Sequence, residues 1–350
     1  DPLLWSKDIF KHTHGAFSFA VVQANAELED QSQAVIGPDA TFFGVFDGHG
    51  GPETARYANV NLYQHLLRKA RRINRITEEV LKNAFSDTEI SFLDFVRRNS
   101  DTSSKLRAVG TCCLVGVIWE KSVYIANLGD SRAVLGYVDR RSHKVIAEQL
   151  TKDHNPNREE IRAELREANP DDPNIVVYRE GAWRVKDIIQ ISRSIGDAYL
   201  KSPEFALGPA LPKFQLPVPL TRAALSAEPS VIIRELQGND KFIIFASDGL
   251  WDLLSIQEAV EVVEKNPRQG IARRLIVTAM RKVVASGRIT EEALKGTGAG
   301  ARRPLHDDIT VFVMYIDRIG GASSSSSSSS PFVPQISVRG FMNETAAADF

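Results

Sequence analysis

The chain has 350 residues, 43% hydrophobic and 25% charged, and a formal net charge of -1. That is the composition of a globular protein with a sizeable core, and it offers no global field for nucleic acid or an anionic membrane. No stretch is apolar for long enough to span a bilayer, and no signal-peptide pattern is present, although the chain opens on Asp1 rather than Met.

In chain order, short β-rich runs are predicted at Ala16–Val22, Thr41–Phe46, Thr111–Ile118, Ser122–Leu128, Ala133–Val138, Ile175–Tyr178, Ile188–Ile191, Val231–Leu236, Lys241–Ala246 and Ile309–Ile316. Lys121-Ser122 predicts a tight hairpin. Helical patterns are fewer and longer. Pro52–Arg72 begins with a residue suited to a first helical turn and ends in a basic stretch, Lys69–Arg75, that suits a helix C-terminus. Thr77–Val96 opens with Thr77 as a cap and Glu78 and Glu79 in the first turn. Asn157–Ala168 and Ser255–Asn266 each carry the spacing of a capping box, and Pro267–Ala285 follows as a further helix. Paired helices between hairpin-like strands argue for antiparallel sheets flanked by helices, not regular βαβ alternation.

Residues 199–229 are rich in Pro and poor in periodicity, long for a passive loop, and read either as a candidate docking flap or as an inert surface loop. Residues 1–318 read as one catalytic domain and 319–350, with its serine run Ser323–Ser330, as a flexible tail. The only cysteines, Cys112 and Cys113, are neighbours in one apolar run. As strand neighbours they point to opposite faces, so they read as buried free thiols in a reducing compartment. A zinc site of the usual spacing is absent.

The chemistry lies in acidic residues at predicted strand ends beside glycine. Glu29-Asp30 follows the first strand, Asp47-Gly48-His49-Gly50-Gly51 the second, and Gly129-Asp130 the strand at 122–128. Gly196-Asp197 and Asp248-Gly249 recur after later runs, and Asp307-Asp308 precedes the last strand. Any one of these is a common turn. Together, with His49 and two candidate phosphate-binding arginines, Arg132 and Arg193, they point to bound cations, because gathered unpaired carboxylates are costly. An all-oxygen donor set selects Mg²⁺ or Mn²⁺ over Zn²⁺, and a pair of such ions can clamp a phosphoryl group.

The chain resembles the metal-dependent type 2C serine/threonine protein phosphatases. The motifs that carry the resemblance are Leu28-Glu29-Asp30, Phe43–Gly51, Ala126–Arg132, Leu150–His154, Ile191–Asp197, Phe245–Asp252 and Asp307–Val311, in the family's order. The flanking phrases Leu3-Leu4-Trp5, Ala20–Asn25 and Leu28–Gln33 look like the plant clade D branch. The resemblance implies an α+β fold, a central antiparallel β-sandwich of two sheets flanked by α-helices in α-β-β-α layers, with a dinuclear metal site at one end.

It further implies that Asp47 bridges both Mg²⁺ or Mn²⁺ ions and that the Gly48 carbonyl binds one of them. Asp248 and Asp307 would complete the other, and Glu29 and Asp30 would hold coordinated waters. Asp130 would join Asp248 at a third, weaker ion, with Asp252 in its outer shell. His49 would be the general acid that protonates the leaving serine or threonine oxygen, in a hydrolysis by in-line attack of activated water. Gly196-Asp197 and Arg193 would serve structurally near the site. The family's phosphate-binding arginine is replaced here by Asn25, which cannot give bidentate charge-assisted recognition.

From the clade D likeness come the expected partners: phosphoprotein substrates, the plasma-membrane H+-ATPase among them in auxin-linked growth control, and small auxin-up RNA proteins as inhibitors. The protein is expected to be a monomer inside the cell, in the cytosol, the nucleus or at the cytoplasmic face of the plasma membrane, with no nucleic-acid partner. Two other readings remain: a catalytically silent binding module on the same fold, and a phosphodiesterase or nuclease, which the near-zero charge disfavours.

Overall fold

The computed structural model describes residues 1–99, 104–209, 211–317 and 336–339. Strands β1 (Leu4–His12) and β2 (Gly15–Val22) are followed by β3 (Gln31–Ile36) and β4 (Ala40–His49). Helices α1 (Glu53–Ile73) and α2 (Glu78–Arg98) lead to β5 (Gly110–Trp119), β6 (Ser122–Leu128), β7 (Arg132–Val138) and β8 (Val145–Gln149). Next come α3 (Glu159–Ala168), a small hairpin of β9 (Val176–Arg179) and β10 (Ala182–Val185), and the two-residue β11 (Ile195–Gly196). Strands β12 (Ser230–Glu235) and β13 (Asp240–Ala246) precede α4 (Asp248–Trp251), α5 (Ile256–Glu264), α6 (Ile271–Ala285) and α7 (Glu291–Gly296). The last strands are β14 (Ile309–Tyr315) and β15 (Ile336–Arg339).

Two antiparallel sheets face each other, one in the order β1-β2-β14-β13-β7-β8 and the other β12-β6-β5-β4-β3-β15. The alternation of side chains along each strand splits them between layers. On β4, Phe43 and Val45 enter the core between the sheets, while Phe42 and Phe46 pack beneath α1 and α2. On β13, Ile243 and Phe245 face the inter-sheet core, while Phe242 and Ile244 lie under α5 and α6. Both faces are covered, so these strands read as unbroken apolar runs. Phe19 and Phe312 stack at 4.3 Å in the middle layer. The result is the α-β-β-α sandwich that the family resemblance implies.

Local signals held at several helix starts. Thr77 Oγ1 accepts the Val80 N–H at 3.1 Å, and Ser255 and Glu258 form a reciprocal capping box. Others did not. Helix α3 starts at Glu159 without a side-chain cap, because Asn157 Oδ1 instead accepts the Trp183 N–H of β10 at 3.2 Å and Glu160 pairs with Arg158. Helix α6 starts at Ile271, since Gly270 takes a left-handed φ of 71°. Ile188–Ile191 is no strand: Lys186 and Asp187 turn the chain with positive φ, leaving one bridge between Val185 and Ile189. Strands β1, β3 and β8 carry too many polar residues to read as strands alone; on β3 even Gln31, Ser32 and Gln33 are buried.

The described residues of the Pro-rich segment 199–229 pack against the domain. Tyr199, Leu220, Ala224 and Leu225 share a fourth apolar cluster with Ile161 and Leu165 of α3 and with Val185. The expected tail, 319–350, lies outside the described residues except for 336–339, which pair antiparallel with β3 as an edge strand, Ile336 opposite Ile36 and Arg339 opposite Gln33. Cys112 and Cys113 are buried and free, as expected. Among the described residues no helix is long and apolar enough to cross a membrane.

Candidate active site

Sheet register gathers the acidic motifs at one end of the sandwich. Asp47, Gly48 and His49 end β4, opposite Cys112, Thr111 and Gly110 of β5. Gln31 pairs with Phe46, which brings Glu29 and Asp30, just before β3, beside Asp47. Ala246 pairs with Val311, so Asp248 after β13 meets Asp307 and Asp308 before β14. Asp130 follows β6, the neighbour of β5.

Close backbone approach requires glycine at two of these places. A side chain on Gly48 would strike the Glu29 carbonyl at 2.5 Å. One on Gly110 would meet Asp197 Oδ2 at 2.1 Å and His49 Nε2 at 2.4 Å.

Asp47 is the hub. It accepts the Asp248 N–H at 3.3 Å. Burial, then the charges of Asp248, Asp30, Asp307 and Asp130, hold its carboxyl well above the usual range. Burial followed by Asp130 and Asp307 does the same to Asp248, whose Oδ1 is buried with no hydrogen-bond partner.

Asp30 is raised by burial and by Asp308, despite a 2.8 Å hydrogen bond from Ser247 Oγ. Glu29 is pushed up to about 7 by burial, then Asp308 and Asp307. Asp130 is raised by burial although Asn155 Nδ2 donates to it at 2.9 Å. Asp307 is raised by burial against the opposing charge of Arg303. Asp252, exposed at the rim, is raised by partial desolvation and Asp307.

Mutual repulsion of this kind, with an orphaned carboxylate oxygen, is the electrostatic signature of a place for hard cations. Among the described residues no group of three or more His, Cys, Asp or Glu side chains is gathered closely enough to enclose a metal ion by itself. A small hard cation that keeps several waters needs only one or two carboxylates.

His49 Nε2 lies 2.8 Å from Asp197 Oδ2. Burial pulls the imidazole pKa down, but the charge and hydrogen bond of Asp197, with Glu29 and Asp130, outweigh it and raise the group. The same Asp197 oxygen accepts from Ser194 Oγ at 2.5 Å. His154, fully buried and held down to about 3 by desolvation, is neutral. Its Nδ1 accepts the Gly129 N–H at 3.1 Å and so fixes the turn that presents Asp130.

A family model described as "Protein phosphatase 2C" matches residues 20–288. The chain belongs to the protein phosphatase 2C family. It is 52% identical over 343 residues to "Probable protein phosphatase 2C 25" of Oryza sativa subsp. japonica, covering 98% of this chain and 87% of that protein. It is 51% identical to "Probable protein phosphatase 2C 68" of Arabidopsis thaliana, covering 100% and 88%. Among solved structures, the serine-threonine phosphatase 2C from Toxoplasma gondii superposes with a TM-score of 0.66 at 17% identity, over 89% of this chain and 98% of that one. That likeness is one of fold. The protein is a serine/threonine protein phosphatase, and its family is metal-dependent.

Three residues of this candidate site escape the sequence reading. Asp308 passed as the companion of Asp307. It is buried and accepts the backbone N–H groups of Ala24, Asn25 and Glu29 at 2.6, 3.0 and 2.8 Å, pinning the loop that carries the Glu29-Asp30 pair. Asp197, expected to serve structurally, contacts His49, a pairing that no local motif signals. Arg303 carried no motif signal, and its Nη2 lies 2.7 Å from Asp307 Oδ2.

Conversely, the two arginines offered for phosphate are committed elsewhere. Arg132 grips Asp153 with Nε at 3.1 and 3.2 Å and Nη2 at 2.9 Å. Arg193 donates to the Glu228 carbonyl at 2.8 Å and to Glu164 at 3.3 Å.

Proposed function

We propose that residues 1–318 form a phosphatase domain that hydrolyses phosphoserine and phosphothreonine with two Mg²⁺ or Mn²⁺ ions bound at the acidic end of the sandwich. Asp47 would bridge the two, the Gly48 carbonyl would serve one, and Asp248 and Asp307 the other. Glu29 and Asp30 would orient coordinated water, and Asp130 with Asp248 would hold a weaker third ion. When bound, the ions supply charge neutralisation for the phosphoryl oxygens and lower the pKa of water to near neutrality.

The protein's own groups do the rest. The carboxylates fix where water stands relative to phosphorus, so that attack comes in line with the leaving oxygen. The bond from phosphorus to the serine or threonine oxygen breaks as the bond to water oxygen forms. His49, kept charged by Asp197, delivers its proton to the departing alkoxide. No phosphoenzyme forms, and Cys112 and Cys113, whose thiols burial holds protonated, take no part.

The observation that supports this reading is the group of mutually repelling carboxylates around Asp47, including the unpartnered Asp248 Oδ1. The test is phosphate release from a phosphothreonine peptide with and without millimolar Mg²⁺ or Mn²⁺, wild type beside Asp47→Asn. Metal-dependent release that the variant loses is expected. No release from folded wild type with either metal would leave the silent binding module.

The phosphatase is further read as a monomer acting inside the cell on the C-terminal phosphothreonine of the plasma-membrane H+-ATPase, under inhibition by small auxin-up RNA proteins. The clade D-like phrases around Leu3-Leu4-Trp5 and Leu28–Gln33 support this. A pump C-terminal phosphopeptide hydrolysed no faster than a scrambled one would sink it.

A further inference from the structure

The site lacks an evident cation for the substrate phosphate, because Asn25 has a different task. Its Nδ2 donates to Asp307 Oδ1 at 3.1 Å and its N–H to Asp308 at 3.0 Å. It therefore orients an acidic side chain. Other arginines are already committed to partners: Arg132 and Arg193 as described, and Arg302, which is fully buried, bidentate to Asp1 at 2.8 and 2.9 Å, and bonded through Nε to the Thr297 carbonyl.

Arg303 differs from these three. Its side chain is 55% exposed, and its one ion contact among the described residues is the 2.7 Å approach of Nη2 to Asp307 Oδ2. A guanidinium carries several N–H donors in a fork that matches two oxygens of a phosphate, so most of its bonding capacity is exposed to solvent beside Asp307. Its charge is felt at Glu29, Asp252 and Asp307, from three separate segments.

The backbone beneath it is firm. The Arg303 N–H bonds to the Gly300 carbonyl at 3.3 Å, and the Gly300 N–H to the Ala24 carbonyl at 2.7 Å, next to Asn25. The buried Arg302 anchors the preceding residue, and Pro304 restricts the backbone at Arg303. A long flexible side chain on a fixed base, resting on a carboxylate at the rim, is suited to exchange that carboxylate for a substrate oxygen.

We propose that Arg303 is the side chain that recognises the phosphate group of the substrate, exchanging Asp307 for a phosphoryl oxygen when substrate binds. The inference rests on the reading of this acidic end as the phosphatase site.

The test compares wild type, Arg303→Gln and Arg303→Lys on a phosphothreonine peptide and on p-nitrophenyl phosphate in saturating Mg²⁺. Equilibrium binding of inorganic phosphate is measured alongside by calorimetry. Loss of a charge-assisted contact predicts a KM about ten- to a hundredfold higher for Arg303→Gln on both substrates. Phosphate binding should weaken by a similar factor, kcat should stay within about twofold, and Arg303→Lys should fall between.

A fall in kcat, or a shift in the metal concentration for half-activity, with KM and phosphate affinity unchanged would overturn the proposal and leave Arg303 as a prop for Asp307. A rise in KM for the peptide alone would also overturn it, since Arg303 would then read a flanking acidic residue. Wild type inactive with metal would instead refute the site reading itself.

Discussion

The ammonium of Lys201 lies 2.6 Å from Glu89 Oε1, and both side chains are under one-tenth exposed. Glu89 projects from α2, 112 residues earlier in the chain. Its other oxygen accepts the Gly196 N–H at 2.9 Å, and Lys201 also donates to the Ser194 carbonyl at 2.7 Å. This buried pair thus clamps the turn that carries Asp197 to His49.

Removing one partner of such a pair strands the other charge. Lys201→Met should cost about 3–5 kcal/mol in urea unfolding, and the double variant Glu89→Gln/Lys201→Met should be less damaged than the sum of the singles. Additive losses would mean that the two groups are not coupled.

Asp308 offers a second stability test. Asp308→Ala leaves the N–H groups of Ala24, Asn25 and Glu29 without their acceptor, a loss on the order of 3 kcal/mol. Asp308→Asn should also destabilise, because an amide has one acceptor oxygen where the carboxylate accepts on both, and its NH2 would face a backbone N–H. The loop it pins carries Glu29 and Asp30, so the metal concentration for half-activity should rise in both variants. Unaltered metal dependence would show that the loop keeps its shape without the anchor.

Asp197→Asn removes the charge that favours protonated His49. Turnover of a phosphoserine peptide, whose alkoxide leaving group needs a proton, should fall roughly 10²-fold. Turnover of p-nitrophenyl phosphate, which leaves as a stable phenolate, should fall only a few-fold. Equal losses on both substrates would remove His49 from the role of general acid.

The pH dependence of stability has a definite sign. Glu29 titrates at about 7 against an ordinary 4.5, and Asp47 and Asp248 are also raised. The folded state therefore keeps protons the unfolded state has lost, and stability drains away as pH rises through the folded values. His12 and His154 act oppositely: desolvation lowers them to about 4 and about 3, so their share is lost as pH falls below 6.5. Well above 6.5 both are neutral folded or unfolded, and the slope is set by the carboxylates together with His49, whose raised pKa acts in the same direction.

Chelator-treated protein should accordingly melt lower at about pH 8 than at about pH 6.5. A fixed Mg²⁺ concentration should narrow the gap, because carboxylates already ionised at pH 8 bind it more tightly, and should add ~2.7 kcal/mol wherever it reaches a hundredfold excess over Kd. A metal-free melting temperature that rises over that interval would contradict the carboxylate account.

Local sequence by itself determined most strands, their antiparallel arrangement beside helices, and most of the acidic set. Apolar runs such as Phe42–Phe46 and Phe242–Ala246 marked buried strands, and Asp-Gly at their ends marked where carboxylates leave the sheet. Capping at Thr77 and Ser255 was legible because it depends on residues a turn apart. Asn157 misled for the converse reason, its side chain being claimed by a hairpin 26 residues away.

Only the tertiary structure decided which polar groups meet. Asp308 with Glu29, Glu89 with Lys201 and His49 with Asp197 are separated by 279, 112 and 148 residues. No periodicity encodes such pairs. They exist because strand register and sheet order bring distant strand ends to one end of the sandwich, where a buried charge must find a partner or a cation.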